Sequence, residues 1–244
     1  MMHPDTESRD AGREVGLGVF ATRRIPRGTI VWVQDELDQS LPLDRVRSLS
    51  RGYRRILDRY GFLDALGNRI LCWDLGRFVN HACEPNVLPT PWRLEIAVRT
   101  IHAGEQITND YATLNLERAF HCRCDAVGCR GRIRPGDFER LVDEWDDRIR
   151  AALADASQVQ QPLLPWLDRA RRRTLLQAIR SPDHDAPSIS SIRLEAARLD
   201  PLAYAAVPRR SRPKAWLEHA PSSSGDPHGP SHGTSPTSEN WPAP

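Results

Sequence analysis

Five cysteines carry the most specific chemistry in the chain: Cys72, Cys83, Cys122, Cys124 and Cys129. An odd number, behind a start MMHPDTESRD that has no signal-peptide core, argues against a disulfide framework and for metal ligation in a reducing compartment. Cys122, Cys124 and Cys129 follow the spacing Cys-x-Cys-x4-Cys, three thiolates where a tetrahedral zinc site wants four ligands. Cys83 is the natural fourth. Cys72, on a strand-like run, and His121, crowded against Cys122, are the competitors.

Cys83 lies inside a second dense stretch, Arg77-Phe78-Val79-Asn80-His81-Ala82-Cys83-Glu84-Pro85-Asn86. Its pattern is neither helical nor alternating, and a buried loop of this kind must satisfy its own backbone, which Asn and His side chains do. Tyr111 closes a third stretch, Gln106-Ile107-Thr108-Asn109-Asp110-Tyr111, and alone reads as a structural tyrosine at a strand end.

These residues need elements to position them. Residues 1–13 are polar and expected to fray. Gly16-Leu17-Gly18 precedes Val19-Phe20, and Ile25-Pro26-Arg27-Gly28 turns the chain into a strand over Thr29–Val33. Over residues 40–60 the apolar positions Leu43, Val46, Leu49, Tyr53, Ile56, Leu57 and Tyr60 recur at three and four, an amphipathic helix expected to pack its aromatics on the core. Arg69–Trp73 reads as a strand, with Cys72 and Trp73 inside. Leu94, Ile96 and Val98 alternate in a half-buried strand over Arg93–Arg99. Phe138, Leu141, Val142, Trp145, Ile149 and Leu153 form a helical stripe; Leu163–Ile179 predicts a second helix and residues 192–200 a third. From about Pro208 the chain is Pro-, Ser-, Gly- and His-rich and is expected to be disordered.

Composition sets outer limits. The 244 residues, 39% hydrophobic and 27% charged, suit a soluble globular protein of one good-sized domain with an appendage, or of two small domains. The net charge of +2 says little about nucleic acid, but the lack of a basic, aromatic-interleaved stripe beyond Arg171–Arg173 speaks against direct nucleic-acid binding. No apolar run is long enough to span a membrane, so a cytoplasmic location is expected, or a nuclear one in a eukaryote. Lys214 is the single lysine.

In order, three blocks resemble the motifs of SET-domain protein lysine methyltransferases. Gly16–Ala21 with the following Ile-Pro-Arg-Gly resembles the first motif. Arg77–Asn86 matches the R-F-x-N-H-S-C-x-P-N signature, with Ala82 for its Ser. Ala97–Tyr111 resembles the closing motif, with Gln106 for a Glu. Cys122, Cys124 and Cys129 resemble the family's post-SET zinc site, which takes its fourth thiolate from the signature cysteine, here Cys83. The resemblance covers about residues 14–134.

It implies a mainly β architecture with α elements, the SET β-clip fold: short sheets around a pseudoknot. The implied organisation is a flexible segment over 1–13, a SET domain over 14–112 with a helical insert at about 35–68, a zinc region over 113–134, a helical extension over 135–200 and a tail over 201–244. It also implies S-adenosylmethionine and one structural Zn2+, and a protein or peptide substrate presenting a lysine. Gly16, Leu17, Gly18, Arg77, Phe78, Asn80, His81, Tyr111 and Phe120 would bind the cofactor, and Tyr111 would act in catalysis. A clear tyrosine just before the signature is missing, which leaves Trp73, Tyr53 or Tyr60 to complete the channel.

The reaction so implied is direct methyl transfer to a lysine ε-amine. At pH 7 removing the proton of a free lysine costs about 4–5 kcal/mol. A dry aromatic channel lowers that cost by disfavouring the ammonium, and it aligns the reactants for backside displacement. Tyr111 would orient the amine lone pair, and the zinc would hold the Phe120 region over the site as a lid. Two other classes stand beside this reading: a SET-fold module that binds cofactor or peptide without turnover, and a zinc-stabilised interaction or nucleic-acid module.

Overall fold

The computed structural model describes residues 1–13 and 15–194. The first strands are β1 (Thr6–Asp10), β2 (Leu17–Ala21), β3 (Ile30–Val33) and β4 (Gln39–Leu41). Helices α1 (Leu43–Ser48) and α2 (Arg51–Tyr60) follow, then β5 (Phe62–Leu63), β6 (Arg69–Leu71) and β7 (Asn80–His81). β8 (Val87–Thr90), β9 (Leu94–Ala97), β10 (Gln106–Asn109), β11 (Phe120–His121) and β12 (Arg132–Ile133) complete the strands. The later helices are α3 (Asp137–Asp155), α4 (Arg169–Arg180) and α5 (Pro182–Asp185). The strands form sheets in the orders β1-β2-β10-β7, β3-β9-β8, β4-β6-β5 and β11-β12. This mainly β arrangement of short sheets with helices agrees with the SET fold implied by the motifs.

The polar opening is a correction to the expectation of fraying. Thr6–Asp10 pairs with β2 in continuous antiparallel register from Thr6↔Ala21 to Asp10↔Leu17. Backbone pairing does not depend on side-chain polarity, and an outward-facing edge strand is where polar residues belong.

The insert departs from the predicted core helix as well. It breaks at Leu49–Ser50 into α1 and α2, with Pro42 at the start of α1 and Ser40 drawn into β4. Only Leu57 of α2 is buried, while Tyr53 and Ile56 are 63% and 44% exposed. The apolar stripe is there, but among the described residues no second layer covers it. Trp73, expected in the core, is 41% exposed, whereas Cys72 is buried as expected.

The helical extension completes the core. One cluster joins Ile30, Val33, Leu88, Leu94 and Ile96 to Phe138, Trp145, Ile149, Leu153 and Leu175 of α3 and α4. The other face of the same strands, through Val31, Trp32, Val87 and Ala97, joins Val19, Ile25, Cys72, Val79 and Ile107. β9 is therefore buried at all four residues rather than at alternate ones. At Gly28 (φ +88°) a Cβ would stand 2.7 Å from the Ala152 carbonyl, so glycine serves both the turn and the close approach of α3.

The predicted helix over 163–179 starts later, with a single 3-10 turn at Leu164–Trp166 before α4, because Pro165 cannot sit in a helix interior. Arg171 is not part of a solvated face: it bonds Asp168 and the carbonyls of Gln34 and Trp92, leaving Arg172 and Arg173 exposed. Another 3-10 turn occupies Ile189–Ile192 and ends at an extended Arg193, so the third predicted helix does not start at 192; its residues 195–200 and the tail lie outside the described residues.

Candidate active site and metal centre

Asn86 holds the decapeptide against β10. Its side chain accepts from Thr108 N (2.8 Å) and donates to the Gln106 carbonyl (2.8 Å), and it is fully buried. A short Pro-Asn turn thereby does what a longer strand pair would do. β7 lies parallel to β10, Asn80 beside Thr108 and His81 beside Asn109. The segment thus reaches Tyr111 at the end of β10.

Asn80 donates its amide to the Leu17 carbonyl at 3.0 Å, tying the first glycine-rich block to the decapeptide. Gly18 lies under it: a Cβ there would come within 3.1 Å of Asn80 Nδ2 and 2.2 Å of Gln106 Nε2. Gln106 Nε2 is buried without an acceptor, and Leu17 beside it is 47% exposed. Gly16 takes φ +87°, with Arg59 of α2 close by. Phe78 meets Tyr60 edge-on at 5.7 Å and carries the Arg77 guanidinium at 5.5 Å. Arg77 is anchored to the carbonyls of Asp74 and Trp73. These residues form a cradle of bare backbone, an aromatic face and an unspent donor, features that suit a nucleoside-bearing ligand.

His81 is the hinge between this cradle and the cysteines. Its Nδ1 accepts from Tyr111 N (3.1 Å), and its Nε2 lies 3.5 Å from Cys83 Sγ. Burial, then the charge of Arg130, pushes its pKa down to about 4, so the ring is neutral near pH 7. The rings of His81, Tyr111 and Phe120 meet pairwise at 5.5, 5.4 and 6.0 Å. The Tyr111 hydroxyl donates to the Val79 carbonyl at 2.8 Å. Its pKa is pushed up to about 12 by burial and by Glu95, so the phenol keeps its proton.

The structure brings Cys83, Cys122, Cys124 and Cys129 together and leaves Cys72 in the other core cluster. Cys83 Sγ and Cys122 Sγ are 3.7 Å apart. Two thiolates on one tetrahedral zinc, at about 2.3 Å each, stand about 3.8 Å apart. Backbone N–H groups of Cys83, Cys124, Arg130 and Gly131 point at the sulfurs of Cys124, Cys122, Cys83 and Cys129, at 3.3–3.4 Å. Such donors favour thiolates. Burial raises the Cys122 thiol, while at Cys124 the N–H of Cys83 and neighbouring donors outweigh burial and bring it to about 7. His121 is exposed, but His81 lies with Cys83, Cys122 and Cys124, all ligand atoms within 4.8 Å of one another. The donor set fits a structural zinc.

Two residues, Arg130 and Glu95, had no sequence signal, and His81, named from its motif, makes a contact with the thiols that the motif did not give. Arg130 donates to Cys83 Sγ and to both oxygens of Asp110. His81 touches both the thiols and Tyr111. Glu95 is buried on the inner face of β9. An Arg after a cysteine and a Glu within an alternating strand are both commonplace in a sequence.

Residues 16–112 match the family described as SET domain. The chain is 28% identical over 180 residues to "Histone-lysine N-methyltransferase, H3 lysine-36 specific" of Mycosarcoma maydis, covering 66% of this chain and 18% of that protein. It is 30% identical over 132 residues to "Histone-lysine N-methyltransferase Set2" of Drosophila melanogaster, 48% of this chain and 6% of that one. With "Histone-lysine N-methyltransferase EHMT1" of Homo sapiens it shares 31% over 171 residues, 59% of this chain and 13% of the relative. The chain thus spans under a fifth of the length of each of these relatives. No helix among the described residues is long and apolar enough to cross a membrane.

Proposed function

We propose that the protein is an S-adenosylmethionine-dependent protein-lysine N-methyltransferase. The observation that carries this reading is the convergence on one SET-domain site of Tyr111, the Asn80–His81 pair and the Gly16–Gly18 backbone. S-adenosylmethionine supplies a methyl group on a sulfonium. Gly16, Leu17, Gly18, Arg77, Phe78, Asn80 and His81 would bind it, with Phe120 closing over Tyr111. The Tyr111 hydroxyl, its own proton donated to the Val79 carbonyl, would accept an N–H of the acceptor amine and so orient its lone pair, and a phenol raised to about 12 does not abstract a proton at pH 7.

Cys83, Cys122, Cys124 and Cys129 would hold one zinc ion, with His81 in reach of three of them. Bound there, the ion cross-links the segment before β8 to the segment after Tyr111. Arg130 and its N–H groups would hold the thiolates and the Asp110–Tyr111 corner in one geometry.

The substrate is a protein lysine, and the relatives' names point first to core histones. Labelled methyl transfer into purified core histones and into a whole-cell extract tests the reading, with wild type compared with Tyr111→Phe. Label from wild type, reduced about 100-fold or more in the variant, is expected. No label from either protein would favour the binding module without turnover.

A further inference from the structure

Glu95 is a carboxylate where the fold asks for a hydrocarbon. Its neighbours on β9, Leu94 and Ile96, face α3, while Glu95 and Ala97 face the interior shared with Trp32, Val79 and Val87. It is 8% exposed and accepts one hydrogen bond, from the Asn109 side chain; among the described residues no other donor reaches it. A buried carboxylate with one partner is costly, and an apolar residue of similar size would cost nothing.

A second group on the same sheet face is also short of a partner. Trp32, paired with Glu95 in register, buries its indole N–H without an acceptor. The Trp32 N–H lies against Gly76, so the Glu95 oxygen that Asn109 leaves free is the polar atom this wall offers to a guest. That wall adjoins the reacting centre: Asn109, which binds Glu95, stands two residues before Tyr111, and the charge of Glu95 is felt at the Tyr111 phenol.

We propose that Glu95 is the base that takes the proton from the substrate's ε-ammonium, a role that rests on the lysine methyltransferase reading above. One N–H bond of the ammonium breaks and the proton bonds to the free carboxylate oxygen of Glu95. The freed lone pair forms the new N–CH3 bond with the methyl of the co-substrate, and the broken S–C pair stays on sulfur. The product leaves as methylammonium, and the proton on Glu95 passes to water, one proton per methyl.

The acidity of Glu95 suits this task. Burial raises it, the Asn109 amide lowers it, Asp74 raises it and the Met1 amino group lowers it, for a value of about 7. Cys72, Trp32 and Tyr111 also face it and are uncharged near neutrality, the thiol and phenol both being raised by burial. A base poised near the working pH is the most effective one.

The test is the pH profile of labelled methyl transfer into whole-cell extract for wild type, Glu95→Gln and Glu95→Asp, with S-adenosylmethionine binding and circular dichroism as fold controls. Wild type should rise to a plateau near pH 7. Glu95→Gln should fall about 100-fold at pH 7 and climb tenfold per pH unit to pH 9, and Glu95→Asp should restore the plateau at a lower rate. In 13C-glutamate-labelled protein, a carboxyl resonance titrating near 7 should be missing from Glu95→Gln and should move when n-butylamine is added. A folded Glu95→Gln with the wild-type profile, or a resonance indifferent to n-butylamine, overturns the proposal. A wild type that transfers no methyl at any pH removes the underlying reading and takes the base with it.

Discussion

The guanidinium of Arg130 grips both carboxylate oxygens of Asp110, at 2.6 and 2.8 Å, one residue before Tyr111. The same side chain donates to Cys83 Sγ at 3.5 Å. Asp110 is 1% exposed, and burial lifts its pKa while Arg130 opposes the lift. The neutral His81, 3.6 Å away, offers no charge in its place. One arginine therefore couples the thiol cluster to the Asp110–Tyr111 corner.

Removing it strands a buried carboxylate. Arg130→Met should destabilise the protein by about 3–5 kcal/mol, the usual result of breaking a buried pair from one side. Thermal unfolding followed by circular dichroism measures it. The double variant Arg130→Met, Asp110→Asn should recover much of the loss; full additivity of the two single effects would show that the pair is not coupled.

Metal content separates the thiols by role. Atomic emission should find one zinc per chain in wild type and in Cys72→Ser, and little in Cys124→Ser or Cys129→Ser. His81→Gln should keep the metal and weaken S-adenosylmethionine binding. Loss of zinc from His81→Gln with retention in Cys129→Ser would make the histidine the fourth ligand.

Chelation should abolish methyl transfer before the β core unfolds, because Cys122 is one member of a core that also joins the sheet β3-β9-β8 to α3 and α4 through Ile30, Leu88, Phe138, Trp145 and Leu175. Activity that survives complete removal of zinc would count against the lid.

Gly18→Ala places a methyl where the Gln106 and Asn80 amides now stand. Gln106 can swing away, but the bond from Asn80 to the Leu17 carbonyl is lost. S-adenosylmethionine affinity by calorimetry should fall about tenfold or more, for a stability change of about 1 kcal/mol. Unchanged affinity would remove this backbone from the cofactor cradle.

Glu95 also marks the stability curve. Its folded pKa is raised from 4.5 to about 7, so between these values the native state holds a proton that the unfolded chain has released. Stability is then lost as pH rises through this window, by about 3 kcal/mol in all, and does not change on this account below 4.5. Denaturant midpoints for Glu95→Gln should gain on wild type from pH 5 to pH 7.5. Parallel curves would mean that the carboxyl is not buried in solution.

Sequence by itself determined the site's vocabulary. Arg77–Asn86, the Cys-x-Cys-x4-Cys spacing and Tyr111 are local strings, and glycine, proline and cysteine carry their constraints in the residue type. Tertiary structure decided the rest, because burial and charge pairing depend on what arrives from elsewhere in the chain. β9 reads as half-buried until α3 covers its outer face, and only then is Glu95 seen facing an enclosed interior. Polar residues 6–10 become a strand because β2 offers an edge, and Tyr53 and Ile56 stay exposed because among the described residues no layer covers α2. Arg130 has no motif, and its role exists only where Asp110 and Cys83 come within reach of one guanidinium.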